Sequence, residues 1–258
     1  MRKWVLQIQD VLETGKLTPG QASKLAGKLQ WACQHMFHRV GRATLRPLYD
    51  QCRGGNGKIG PGLRAALEWW LAILSEGIVE VKPWRAPTGV PVHLFCDAAG
   101  APQRIAAVLW MDGKVFWADG PPPAEILRLW DMRDDNQIMG LELLSIALGL
   151  STFEHELANR KVIIHSDNTG AECGTRKGRA RAFDHCSLVH RMWIHIARLH
   201  AAVWVVRVPT DDNIADLPSR HEYALLRALT AEERKPILHD MYFSEVAWAE
   251  FNRTSRGL

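Results

Sequence analysis

Three apolar runs follow one another so closely between residues 92 and 118 that they have to pair as neighbouring strands: Val92–Asp97, Ile105–Trp110 and Lys114–Ala118. Asp112-Gly113 separates the last two, and an Asp-Gly pair is a hairpin signal because both residues tolerate positive φ. Further on, runs at Lys161–Ser166 and Val203–Val208 alternate with helical patterns. Those patterns predict an amphipathic helix over about 136–155, a helical stretch after Asp167, a longer helix around 183–200 and a final helix from near Asn213. Three antiparallel strands followed by alternating helix and strand predict a mixed five-stranded α/β sheet with helices on its faces.

Upstream the pattern is helical. Lys3–Glu13 reads as a helix closed by Gly15, and Thr18-Pro19 opens a second one as cap and first residue. Ala22, Leu25, Ala26, Leu29, Ala32, Cys33, Met36, Phe37 and Val40 form its apolar stripe, with Lys24, Lys28, Arg39 and Arg42 on the other face. QCRGGNGKIGPG reads as a loop, followed by a helix from Leu63 to about Glu76. The expected organisation is a small helical region over 1–81, a Pro-containing linker over 82–91, an α/β domain over 92–222 and a helix-like polar tail over 223–258.

Hydrophobic residues make up 47% and charged residues 23% of the 258, an ordinary globular balance with ample core. No apolar stretch is long enough to cross a bilayer, and MRKWVLQIQD lacks a signal-peptide core, so the expectation is an intracellular protein without membrane contact. Cys33, Cys52, Cys96, Cys173 and Cys186 show no metal-ligand spacing and read as reduced thiols. A net charge of +4 permits a polyanionic partner without requiring one. The 11 Trp residues fall mostly on apolar faces, which suits core packing better than base stacking.

Four acids stand out by their settings. Asp97 ends VHLFCD, Asp167 ends KVIIHSD, Glu142 interrupts the apolar pattern of NQIMGLELLSIALGL, and Asp216 lies in NIADLPSR at the start of a late helix. A carboxylate at the tip of a buried strand costs desolvation free energy unless a cation or hydrogen bonds compensate. If the first and fourth strands are parallel neighbours, Asp97 and Asp167 project from one sheet edge, where open α/β sheets place their ligands. Four such acids suit two Mg²⁺ ions, with Mn²⁺ as the other candidate. Ions about 4 Å apart would activate a water on one side and stabilise the leaving oxygen on the other. No protein nucleophile is then required, and no Ser/His/Asp or Cys/His elbow is recognisable. Singly, each acid has a plainer reading: a strand-end turn for Asp97, a helix cap for Asp167, an Arg or Lys partner for Glu142, a dipole contact for Asp216.

At these motifs the chain resembles the ribonuclease H domain of DIRS-like and LTR-type retrotransposon reverse transcriptases. CDAAG with its hairpin, GLELLSIALGL, HSDNTGA and NIADLPSR carry the resemblance, and LTPGQASKLAGKLQWACQHMFHRVGRATLRPLYDQ resembles the helical segment that joins polymerase to ribonuclease H. It covers roughly residues 15 to 222. It implies a ribonuclease H-like fold, metal-binding catalytic roles for Asp97, Glu142, Asp167 and Asp216, and cleavage of the RNA strand of RNA–DNA hybrids. The implied partners are the hybrid and the rest of the polyprotein, in the cytoplasm or nucleus. The alternative is a non-catalytic ribonuclease H-like interaction module; an integrase would order its acids Asp-Asp-Glu.

Two departures accompany the resemblance. The loop VRVPTDDNIAD lacks the His that many ribonucleases H place before the last Asp, and His185 is a weak substitute on the expected surface. The polymerase signature is absent; Met132-Arg133-Asp134-Asp135 reads as a helix cap. For nucleic-acid contact, Arg176, Lys177, Arg179 and Arg181 form the densest basic run, read equally as a phosphate contact or a solvated loop. Asn168 and Thr169 are candidates by position for sensing 2′-hydroxyls.

Overall fold

The computed structural model describes residues 2–35, 39–75, 88–130 and 137–243. Contacts divide the chain into two units, Met1–Pro83 and Trp84–Glu245. Most of the expected linker over 82–91, and the Met132–Asp135 segment, lie outside the described residues.

The first unit comprises helices α1 (Arg2–Thr14), α2 (Pro19–His35), α3 (Arg46–Gly54) and α4 (Pro61–Ser75). Thr18 opens α2 as its sequence predicts: its Oγ1 accepts from Gln21 N, and Gln21 Oε1 accepts from Thr18 N. Ala22, Leu25, Ala26, Leu29, Ala32 and Cys33 are all buried, and Val40 is buried beyond the helix; Met36 and Phe37 lie outside the described residues. The reading of residues 51–62 as a loop needs correcting at its start, because Gln51–Gly54 are the last turn of α3. Gln51 is held there by its buried amide, which donates to Leu17 O at 2.7 Å.

The second unit contains the strands β1 (Val92–Gly100), β2 (Gln103–Met111) and β3 (Lys114–Gly120), then helices α5 (Ala124–Trp130), α6 (Ile138–Thr152) and α7 (Glu154–Leu157). Strand β4 (Lys161–Ser166), helices α8 (Thr169–Lys177) and α9 (Phe183–Arg198) and strand β5 (Ala202–Arg207) follow. The chain continues through α10 (Asp216–Ser219), α11 (Ala224–Ala228) and a two-residue strand β6 (Glu232–Glu233). The sheet is mixed, in the order β5-β4-β1-β2-β3-β6. Strands β1, β2 and β3 are antiparallel, while β1–β4, β4–β5 and β3–β6 pair in parallel.

Several expectations change. The sheet has six strands, not five, because Glu232–Glu233 pairs with Phe116–Trp117 at the β3 edge. So short a strand has no alternation to read; the pairing comes from the tertiary contact. The tail over 223–258, expected to be helical, holds one five-residue helix in its described part and then runs as an extended strap to a buried Tyr242. The final helix expected from Asn213 is the single turn α10, which starts at Asp216 itself.

Helix α6, expected to be amphipathic, is buried on every side from Gly140 to Ser151. It packs on β1 and β2 with one face and on α8 and α9 with the other, so it is a central core helix. Close approach is possible at Gly149, where an added Cβ would come within 3.0 Å of Leu94. The tryptophans divide: Trp70, Trp117, Trp130 and Trp193 are buried, whereas Trp31, Trp110 and Trp204 are exposed. Among the described residues no helix is long and apolar enough to cross a membrane.

Candidate metal centre

The parallel ladder between β1 and β4 ends at Phe95↔His165, while the β1–β2 ladder continues to Gly100↔Gln103. Asp97 therefore lies inside β1, three residues before its end, and not at the strand tip that the sequence predicts. It is paired on its β2 side only. Its other side faces the gap that opens where the chain leaves β4 at Asp167.

Helix α6 points its first turns into this gap and brings Glu142 there. Carboxylate oxygens of Asp97, Glu142 and Asp167 lie within 4.8 Å of one another. Asp216, at the start of α10, lines the same cavity of about 570 Å³, but its Oδ1 is held 2.7 Å from Arg220 Nε. The structure thus brings three of the four acids to one point and sets the fourth at the rim, tied to an arginine.

Asp97 is fixed from two directions. Ser219 donates to its Oδ2 at 2.6 Å, and Asn213 Nδ2 reaches its Oδ1 at 3.4 Å and Cys96 O at 3.1 Å. Burial pushes the Asp97 carboxyl up to about 6; the Ser219 hydrogen bond opposes this, and Asp167 and Asp216 add to it. For Glu142 the effect is larger. Burial first, then the charges of Asp97, Asp167 and Asp216, push it up to about 9, with slight relief from a backbone hydrogen bond at Ala98. Its Oε2 is buried with no hydrogen-bond partner among the described residues.

A pair of like charges about 4 Å apart costs about 4 kcal/mol at an effective dielectric of about 20. Three carboxylates at that spacing cannot all ionise without a counter-charge. A hard divalent cation fits this donor set: it takes oxygen ligands, gives the orphaned Glu142 oxygen a partner and offsets the repulsion. No Lys or Arg enters the three-acid cluster to do the same; Arg220 bonds to Asp216.

Asn168, not Asp167, caps α8: its Oδ1 accepts from Ala171 N at 3.0 Å. This division leaves the Asp167 carboxylate to face the other acids. Thr169 is exposed at the first position of α8. The basic run, expected on a loop, is half helical, since Arg176 and Lys177 form the last turn of α8 and Arg179 and Arg181 follow the αL cap Gly178. All four side chains are exposed, and Arg176 pairs with Glu172 at 3.1 Å. Nine residues of helix separate this run from Asp167, roughly 13 Å of rise. His185 is not on the surface; it is buried at the start of α9, edge-on to Trp130.

Sequence reasoning missed Asn213, Ser219, Arg220 and His221. His221 lines the cavity and shares a hydrogen bond with Tyr223 Oη at 3.2 Å; Tyr223 in turn donates to Asp119, the partner of Arg104. Ser and Asn close after a candidate acid were the only sequence signal, and they are common around any short helix. The sequence matches no known protein-family model and no curated protein, so function has to be read from the site.

Proposed function

We propose that this chain is a metal-dependent endonuclease of the ribonuclease H type that hydrolyses the RNA strand of RNA–DNA hybrids, derived from a retroelement reverse transcriptase. The observation that carries the reading is the convergence of Asp97, Glu142 and Asp167 from a strand, a helix and a strand end, with oxygens within 4.8 Å. The motif resemblance supports it, and so does the order β5-β4-β1-β2-β3, which accommodates the five-stranded mixed sheet that resemblance implies.

Asp97, Glu142 and Asp167 would hold the cation, with Asp216 at the rim for a second. When bound, Mg²⁺ or Mn²⁺ supplies the positive charge that activates an attacking water and stabilises the leaving oxygen of an in-line displacement. The protein's own contribution is placement. Ser219 and Asn213 hold Asp97 in one orientation, and the surrounding core keeps Glu142 from turning towards water. Thr210, Arg220 and His221 line the open side of the cavity and meet an incoming phosphodiester with a hydroxyl, a cation and an imidazole. Arg176, Lys177, Arg179 and Arg181 contact the backbone of the duplex farther along, giving sequence-independent, salt-sensitive binding.

The test is cleavage of a labelled RNA–DNA hybrid in Mg²⁺ or Mn²⁺ by wild type and Asp167→Asn. Metal-dependent cutting of the RNA strand, lost in the variant and not seen on duplex DNA, is the expected result. Binding of the hybrid without cutting in either metal would favour the non-catalytic module instead.

A further inference from the structure

A second cluster of ligating side chains lies away from the acidic site. Glu154 opens α7, past the far end of α6 and separated from Glu142 by roughly 18 Å of helical rise. There it meets His195 from the last turn of α9 and His239 from the C-terminal strap. Glu154 Oε2 is 2.9 Å from His239 Nε2 and 3.7 Å from His195 Nε2, and one ligand atom from each residue lies within 4.8 Å of the other two.

We propose that Glu154, His195 and His239 form a binding site for a borderline divalent metal ion, Zn²⁺ by its chemistry, that fastens the C-terminal strap to α7 and α9. Two imidazole nitrogens and one carboxylate oxygen, with a water completing a tetrahedron, are a donor set that zinc accepts. Bonds of about 2.0–2.1 Å in a tetrahedron place ligand atoms about 3.3 Å apart, so the observed separations need shifts of about 1.5 Å at most.

The independent observation is His195. The residue is 3% exposed, and its Nε2 is fully enclosed, faces the other two ligands and makes no hydrogen bond among the described residues. Its Nδ1 is 2.9 Å from Tyr242 Oη. With Nδ1–H donating to that oxygen, Nε2 carries the lone pair, the arrangement in which metal-bound histidines are held by an outer partner. Burial, with the neighbouring His239, lowers the His195 ring to about 4, so it is neutral and able to ligate near pH 7. Glu154 and His239 are each more than a third exposed, which gives the ion a path from solvent.

The strap is already seated for this. Ile237 exchanges hydrogen bonds with Thr152, at 3.0 and 3.1 Å, and His239 N donates to Ser151 Oγ at 3.3 Å. The ion would close a clamp across elements that the chain brings together only on folding. Nothing in this inference depends on the nuclease reading.

The test uses the full chain, stripped with EDTA, returned to excess Mg²⁺ to occupy the acidic site, and titrated with ZnCl₂ by calorimetry. One equivalent of zinc is expected for wild type and for Asp167→Asn, and none for His239→Ala. Tyr242→Phe, which removes the partner of Nδ1, is expected to weaken binding by about tenfold. Co²⁺ in place of zinc should give visible d–d bands in wild type that are absent in His239→Ala. Zinc binding that survives His239→Ala, or that disappears in Asp167→Asn, would overturn the proposal, as would no zinc uptake by wild type.

Discussion

Glu142 occupies the fifth position of α6, where a leucine would pack without cost, and the molecule keeps a carboxyl there at the expense of stability. The sign follows from the protons bound. The free chain loses this proton near 4.5 and the folded chain near 9, so between those values the folded state holds one proton more. Stability contributed by such a group is complete below pH 4.5 and is lost as pH rises, by about 1.4 kcal/mol per unit until about 9. Asp97, raised from 3.8 to about 6, acts in the same direction over a narrower window. Urea denaturation in EDTA at pH 5 and pH 8 should therefore show a less stable protein at the higher pH. Glu142→Gln, nearly isosteric with the protonated acid, should flatten much of that difference while abolishing Mg²⁺-dependent activity. An unchanged slope would mean that Glu142 ionises freely.

Helix α6 shows how an element carries a residue to its work. Its first turn is pinned at Gly140, where an added Cβ would lie 2.5 Å from the indole of Trp130, itself fully buried. In an isolated helix Gly→Ala gains up to about 1 kcal/mol. Here overpacking costs typically about 1–3 kcal/mol, because neither a large buried ring nor a helix packed on all sides can give way. Gly140→Ala should lower the melting temperature and reduce cleavage by displacing Glu142, two residues on. A stabilised variant with full activity would contradict this picture of α6. The positions of α2, β4 and α9 were legible in the sequence because each carries its own period, boundary residue or apolar run. Those of β6 and α10 were not: two residues and four residues have no period, and only contacts with β3 and β1 place them.

At the scale of the whole molecule, each of the two units has its own core: Leu25, Leu29, Leu67 and Trp70 in the first, Leu94, Leu144, Ile164 and Leu188 in the second. A chain shortened to residues 88–243 should fold and melt cooperatively, as followed by circular dichroism. It holds the complete sheet, the three converging acids and the Glu154–His195–His239 cluster. Failure to fold would show that its sheet needs residues outside this span.

The sequence by itself determined the succession of strands and helices and which carboxylates were costly. Periodicity and desolvation are local: an acid closing or interrupting an apolar run is expensive wherever the chain goes. The tertiary structure decided which of those acids meet. It drew Asp97, Glu142 and Asp167 together, left Asp216 with Arg220, and gave the capping duty to Asn168. It also set the protonation of Glu142, because burial and the charge of distant neighbours exist only once β1, β4 and α6 have converged. The same holds for Glu154, His195 and His239, which share no motif and become neighbours only where the strap returns across α7 and α9.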